Sequence, residues 1–287
     1  MTNLRRIAVL MTCFNRKEMT LACLNALTAA AADSCSCTVF LVDDGSSDGT
    51  SESVARAHPS AQIVHGSGDL YWNGGMRLAW QAAIPQNPDF YLWLNDDTVL
   101  RPRAIADLLA TYDEAAIAKT IVVGRTVGRR GNFTYGGYRR SGRASRLSFR
   151  PLADTERECE TMNGNCVLIP ARAVIDIGIN SKNYRHAYGD VDYGLRAIRA
   201  GYSIIEMKPP VATQEFNDSS PSRLGIRNWR FALFHPKGIS LSEWFCFCRE
   251  HGGPFWIGNF VWRYVKMLSP RRINLALESQ TRLPPAA

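Results

Sequence analysis

One property of this sequence restricts its possible folds more than any other. Through the first half, short apolar runs alternate with amphipathic segments, and several of the runs end on polar or acidic residues. Ile7–Thr12, Cys37–Asp43, Ala61–His65, Phe90–Asn95 and Thr120–Gly124 read as strands. Between them lie helical patterns: one after Asn15 with Leu21, Leu24 and Leu27 on its buried face, then Ser51–Ala57, Gly74–Ile84 and Arg101–Tyr112. Asn15 and Glu18 have the spacing of a capping box. Such alternation predicts an α/β fold with a mostly parallel central sheet flanked by helices. Ligands of these sheets sit beyond the carboxyl ends of the strands. Thr12, Asp43 and Asn95-Asp96-Asp97 all fall at such ends.

Farther on, residues 125–150 read as a loop or irregular hairpin and Cys166–Ile169 as a strand. Pro170–Ile177 reads as a short helix stopped by Gly178. Asp190 is placed to cap a helix over Val191–Ala200, with Gly201 at its end. After about residue 222 the character changes, and Trp229–Tyr264 carries eleven of the 29 aromatic residues among scattered bases. The expected organisation is a domain over 1–221, with halves at 1–124 and 125–221, and an aromatic, basic extension over 222–287.

Charge is uneven. Residues 125–150 hold eight arginines and no acid, and 222–287 carry a net +7, whereas the remainder carries a net −7. This asymmetry points to partners bearing phosphates or anionic lipid. The eight cysteines, several of them in apolar runs, read as buried thiols of a reducing compartment, and neither Cys35-Ser-Cys37 nor Cys246-Phe-Cys248 has zinc-knuckle spacing. The apolar run after Arg5-Arg6 passes directly into Thr12, Asn15 and Arg16, so it reads as a strand rather than a signal peptide, and cytoplasm is the expected location.

Four motifs carry chemistry, each with a plainer alternative. "TCFNRK" could hold a base and a phosphate, or supply a helix cap and surface charge. "VDDGSSDGT" could take a ribose hydroxyl and a base N–H, or form a turn. It lacks the glycine cradle of a dinucleotide fold and the Lys-Ser/Thr of a phosphate-binding loop. "NDD" suits Mg²⁺ or Mn²⁺, which take one or two carboxylates plus substrate phosphates, but any Asp-Asp turn reads the same way. In "YGDVDYGLRAIRAGY", Asp190 could act as a general base or cap its helix, with Asp192 paired to Arg196.

In their order along the chain, "AVLMTCFNRKEMTLACLNAL", "FLVDDGSSDGT", "GDLYWNGGMRLAW", "YLWLNDDTVL", "NGNCVLIPARAV" and "YGDVDYGLRAIRAGY" resemble the family-2 glycosyltransferases of the GT-A fold, most closely a bacterial polysaccharide rhamnosyltransferase-like branch. The resemblance spans residues 5 to about 220. It implies a Rossmann-like nucleotide-binding half and an inverting transfer from a dTDP- or UDP-sugar to a saccharide or polyprenyl-diphosphate-linked acceptor, with no nucleic acid involved. A catalytically silent sugar-nucleotide or glycan-binding protein on the same fold is the alternative.

Residue by residue, Thr12, Phe14, Asn15 and Arg16 resemble the nucleotide cradle, and Asp44, with Asp43 beside it, the base-reading acid. Asn95-Asp96-Asp97 resembles the DXD-type motif, with Asp96 near the ribose and Asp97 on a divalent cation, Mg²⁺ or Mn²⁺. Trp72, Gly74, Gly75 and Arg77 resemble the loop and helix start that close over the donor, and Asn163 and Gly164 the sugar-side loop. Asp190 is similar in position to the catalytic base. One departure is visible: where the family often has a metal-binding histidine, this chain reads "TQEFNDSSPS", so Glu215 or Asn217 substitutes, or Asp97 holds the ion with diphosphate and water alone.

Overall fold

A computed structural model describes residues 4–31, 35–142, 146–215, 229–238 and 240–267. The first half alternates as its apolar pattern requires: β1 (Arg6–Cys13), α1 (Lys17–Ala31), β2 (Ser36–Asp43), α2 (Thr50–Ala57), β3 (Gln62–His65), α3 (Tyr71–Ala83), β4 (Phe90–Leu94), β5 (Val99–Leu100), α4 (Ala104–Glu114) and β6 (Thr120–Val127). Short strands follow: β7 (Phe133–Tyr135), β8 (Gly137–Arg140), β9 (Phe149–Pro151), β10 (Glu158–Cys159) and β11 (Thr161–Met162). Then come β12 (Cys166–Pro170), α5 (Arg172–Asp176), α6 (Gly189–Arg199) and β13 (Ser203–Thr213).

The main sheet runs β10-β13-β6-β12-β4-β1-β2-β3, and β8 centres a small second sheet, β11-β8-β9. Six of the eight strands on that path point the same way. β12 lies antiparallel between β4 and β6, and β10 is antiparallel at the edge. β4 and β12 are buried along their whole length, which explains their unbroken apolar runs. Both sheet faces are covered. Ile7, Val9 and Met11 face Leu24, Leu27, Ile105 and Leu108, whereas Ala8 and Leu10 share the other core with Met76, Trp80, Trp93 and Tyr193.

Three local expectations are corrected. The third helix starts at Tyr71, three residues before Gly74, because Tyr71 takes a left-handed conformation (φ 56°) that turns the chain into it. Asn15 is also left-handed (φ 52°) and caps nothing; Asp48 Oδ2 accepts the N–H of Lys17 instead, at 3.0 Å. Tyr188, not Asp190, precedes the first turn of α6, with φ 65°. Residues 125–150 take the hairpin alternative: β6 pairs antiparallel with β7 through an irregular register, and β8 pairs antiparallel with β9.

The chain divides into two compact units, Met1–Arg140 with Phe149–Phe216, and Ser141–Ser148 with Asn217–Ala287. The second unit contains α7 (Trp229–Phe234), α8 (Leu241–His251) and α9 (Trp256–Met267). Within it, Arg263 lies over the Trp244 ring at 4.5 Å and Trp244 Nε1 donates to Phe260 O at 3.2 Å. No described helix is long and apolar enough to cross a membrane. The eight cysteines are free thiols, five of them buried.

Candidate active site

The site assembles where β1, β2 and β4 end. β4 delivers Asn95, and a turn closed by Thr98 N–H to Asn95 O (3.1 Å) sets Asp96 and Asp97 at its two central positions. Two adjacent carboxylates need a counter-charge, and it comes from the β1–α1 junction. Arg16 Nη1 donates to Asp96 Oδ1 at 3.1 Å and to Asp97 Oδ2 at 2.8 Å. Asp96 is buried, and desolvation, reinforced by Asp97 and opposed by Arg16, pushes its carboxyl up to about 7. The other Asp97 oxygen, Oδ1, accepts from Gln214 Nε2 at 2.5 Å. The amide of Gln214 is oriented by its neighbours, because its Oε1 accepts from Thr98 Oγ1 (2.8 Å) and Asn165 Nδ2 (2.9 Å).

A second chain of contacts leads from β4 to the head of α6. Asn95 N–H donates to Asn165 O across the sheet at 3.0 Å. Asn95 Oδ1 accepts from Trp72 Nε1 at 2.8 Å. The Trp72 indole stands edge-on to Trp93, which meets Trp80 and Tyr193, with centroids 5.8, 5.6 and 5.1 Å apart. Each such pair contributes roughly 0.5–1.5 kcal/mol beyond area burial, so the ring is fixed from behind. Its front edge presses on Gly164, where an added Cβ would lie 2.4 Å from the indole. Gly164 N–H donates to Asp190 Oδ2 (3.0 Å) and Val191 N–H to Asp190 Oδ1 (2.8 Å). Burial raises the Asp190 carboxyl above its ordinary value, against these two N–H groups and the Asn163 amide, which lower it. Asn163 Oδ1 is itself buried with no hydrogen-bond partner among the described residues. Asp192 is fully buried and paired with Arg196 at 2.8 Å.

The remaining expected residues are placed as follows. Thr12 packs on Gly75, where a Cβ would lie 2.1 Å from Thr12 Oγ1. Phe14 is half exposed. Asn15 ties the β1 and β2 loops together, donating its N–H to Ser46 Oγ (2.9 Å) and accepting Ser47 N–H at Oδ1 (2.8 Å). Asp43 organises its own turn, accepting Ser46 N–H (2.8 Å) and the Ser51 hydroxyl. Asp44 accepts the N–H groups of Gly68, Leu70 and Tyr71 at 2.8, 2.9 and 3.1 Å, so most of its acceptor capacity goes to the loop that carries Trp72. Gly74 and Gly75 lie inside α3, and Arg77 Nη1 donates to Asn180 O.

This geometry agrees with what comparison shows. The model of the family described as "Glycosyltransferase like family 2" matches residues 5–231. The chain belongs to glycosyltransferase-like family 2. Among solved structures, it is similar to S. aureus TarS 1-349, with a TM-score of 0.55 and 16% identity over 76% of this chain. It spans 64% of that TarS chain. No curated protein matches it. The fold is GT-A, as the family and the TarS likeness both support.

For a family-2 member, two positions deserve correction. Gln214, not Glu215, lies on Asp97; Glu215 is exposed and accepts Arg129 N–H at 3.0 Å, and Asn217 is outside the described residues. The divalent ion implied for Asp97 meets a donor set that does not suit it. An ion about 2.1 Å from Oδ2 would share that oxygen with a guanidinium nitrogen 2.8 Å away. Unit charges about 4 Å apart repel by roughly 1 kcal/mol in water and roughly 4 kcal/mol near a protein surface, and a divalent ion doubles that. On the other side an amide N–H points at Oδ1, and the Gln214 oxygen is already committed. The residues present do not form a ready-made divalent-ion site.

Two site residues escaped the sequence reading. Gln214 reaches Asp97 across 117 positions, which no local pattern encodes. Asn73, fully buried, donates to Ser181 O (2.9 Å) and Tyr184 O (2.7 Å) and accepts from Asn180 Nδ2 (2.8 Å), fixing the segment that leads to α6. The one signal for Asn73 is its neighbour: an asparagine between Trp72 and two glycines at the start of a helix.

Proposed function

We propose that this chain transfers a sugar from a nucleoside-diphosphate donor to a saccharide or polyprenyl-diphosphate-linked acceptor, with inversion, in surface glycan synthesis. The observation that carries this reading is Asp190. Its carboxylate stands in the first turn of α6, oriented by the N–H groups of Gly164 and Val191, beside the indole that β4 holds. Burial strengthens it as a base, and the two N–H groups fix its direction without neutralising it.

In the proposed reaction Asp190 takes the proton of the acceptor hydroxyl. That oxygen attacks the anomeric carbon, and the bond from this carbon to the diphosphate oxygen breaks on the opposite face, its electron pair leaving with the nucleotide. Thr12, Phe14, Asn15 and Arg16 are assigned to the nucleotide, Asp43 and Asp44 to its base through the loops they shape, and Asn95, Asp96 and Asn163 to the donor. Trp72, Gly74, Gly75, Arg77 and Gly164 close the donor side by packing. In this scheme 1–124 serves the donor, 125–221 the acceptor, and the aromatic extension from 222 a peripheral contact at the cytoplasmic membrane face.

The rhamnosyltransferase-like branch favours a dTDP-sugar over a UDP-sugar. A thermal-shift panel of nucleotide sugars, followed by product analysis with the stabilising donor, tests the class. Asp190→Asn is expected to lower kcat by at least about 10³-fold, within the range of roughly 10²–10⁴-fold that a general base contributes, with nucleotide affinity near wild type. Unchanged turnover would remove Asp190 from the reaction. Tight donor binding with neither transfer nor donor hydrolysis would leave a sugar-nucleotide-binding protein.

A further inference from the structure

The acid pair at the end of β4 is met by Arg16, and the way it is met leaves much of the guanidinium unused. Nη1 contacts both acids, Asp96 and Asp97. Nε and Nη2, with three N–H groups, have no hydrogen-bond partner among the described residues, and the side chain is 36% exposed. One corner of a planar fork is therefore anchored, while the edge that matches a phosphate bidentately is open. Gln214 completes the arrangement by holding Asp97 from the other side, so the carboxylate that fixes Arg16 is itself fixed.

We infer that Arg16 is the counter-charge of the donor diphosphate in this chain, standing where a divalent ion would otherwise act, so that nucleotide binding needs no divalent ion. This rests on the proposed glycosyl transfer and sharpens its donor site. Asp96 and Asp97 are then anchors of an arginine. Gln214 is the residue that makes this possible, because an amide donates to Asp97 where a metal-ligating side chain would compete with Arg16.

The test is calorimetric titration of the full chain with UDP and with dTDP, in EDTA and in Mn²⁺, alongside Mn²⁺ binding followed by electron paramagnetic resonance. For whichever nucleotide binds, the wild-type Kd is expected to agree between the two conditions within about threefold, less than about 0.7 kcal/mol. Free Mn²⁺ should show no site. Arg16→Ala should weaken binding in EDTA by at least about tenfold. Gln214→His, which gives Asp97 an imidazole neighbour, should gain a Mn²⁺ signal that the wild type lacks. If Arg16→Ala fails to fold by circular dichroism, the wild-type and Gln214→His measurements still decide. Binding that Mn²⁺ strengthens tenfold or more and EDTA abolishes would overturn the inference and leave glycosyl transfer standing. Absence of nucleotide binding in both conditions would overturn the donor reading as well.

Discussion

At the scale of single residues, the site is governed by atoms that are missing as much as by atoms that are present. Gly75 lets α3 touch the end of β1, and Gly164 lets the Trp72 ring lie beside Asp190. A Cβ at Gly75 would lie 2.1 Å from Thr12 Oγ1 and 2.7 Å from its Cβ, so α3 must shift. Gly75→Ala is expected to cost about 1–3 kcal/mol, the usual penalty of overpacking, measured by urea unfolding. Gly164→Ala meets the edge of the Trp72 ring at 2.4 Å and the Asp190 Cβ at 3.3 Å, side chains rather than a packed helix, so its stability cost should be smaller and its effect on kcat larger. Displacing Trp72 breaks its bond to Asn95, and a shift of about 1 Å in a positioned group can cost about 100-fold in rate. Equal stability losses with wild-type kcat in Gly164→Ala would separate Trp72 from the chemistry. The pH profile is fixed at this scale too. Burial holds the Asp190 carboxyl above its ordinary value, and only the ionised form can take a proton. Turnover should therefore fall as pH drops through that raised value. The acid limb of kcat should lie above the usual carboxylate range, and a limb within that range would argue against Asp190 as the base.

At the scale of elements, the strands were legible because β4 and β12 are buried on both faces and β1 alternates between two cores. The helix starts were less so. Asn15, Tyr71 and Tyr188 all adopt positive φ, and each lies within two residues of Arg16, Trp72 or Asp190. Backbone that bulky residues rarely adopt is held in place by tertiary contacts, so propensity could not reveal it. The acids of "VDDG" were legible as important, but their work was not. Asp44 is spent on backbone N–H groups 24 to 27 positions away. Gln214 was invisible because its partner Asp97 lies in the turn after β4, 117 positions distant. Asn73 shows the energetic weight of such links. Asn73→Ala leaves the carbonyls of Ser181 and Tyr184 and the amide of Asn180 without their partner. Each buried orphan costs about 1–3 kcal/mol, so a loss of at least about 2 kcal/mol is expected in urea unfolding. Hydrogen exchange should rise over 180–188 first, and uniform exchange would show that the segment is held by other contacts.

At the scale of the whole molecule, the question is where its excess positive charge is available. Within the first unit much of it is already neutralised. Arg125 pairs with Asp154, Arg139 and Arg150 with Glu156, Arg140 with Glu160, and Arg129 with Glu215. The arginine-rich stretch therefore serves partly to hold β8 and β9 against the acidic segment 154–160, which its composition alone did not reveal; Arg143 lies outside the described residues. In the second unit the balance differs. On α9, Ile257, Val261 and Val265 recur every fourth residue and are exposed, as are Trp262 and, just before the helix, Phe255, while Arg263 and Lys266 sit against Trp244 and Trp262. An exposed apolar helical stripe in a segment with a net positive charge suits an anionic lipid surface. Each base near such a surface contributes about 1 kcal/mol, and apolar burial adds about 25 cal/mol per Å². The protein should float with vesicles containing anionic lipid and much less with neutral ones. Trp262→Ser should reduce flotation at all salt concentrations, and Lys266→Ala mainly at low salt, where its charge is unscreened. Equal recovery in the soluble fraction with and without anionic vesicles would assign the stripe to packing within the protein and remove the membrane from the proposed function.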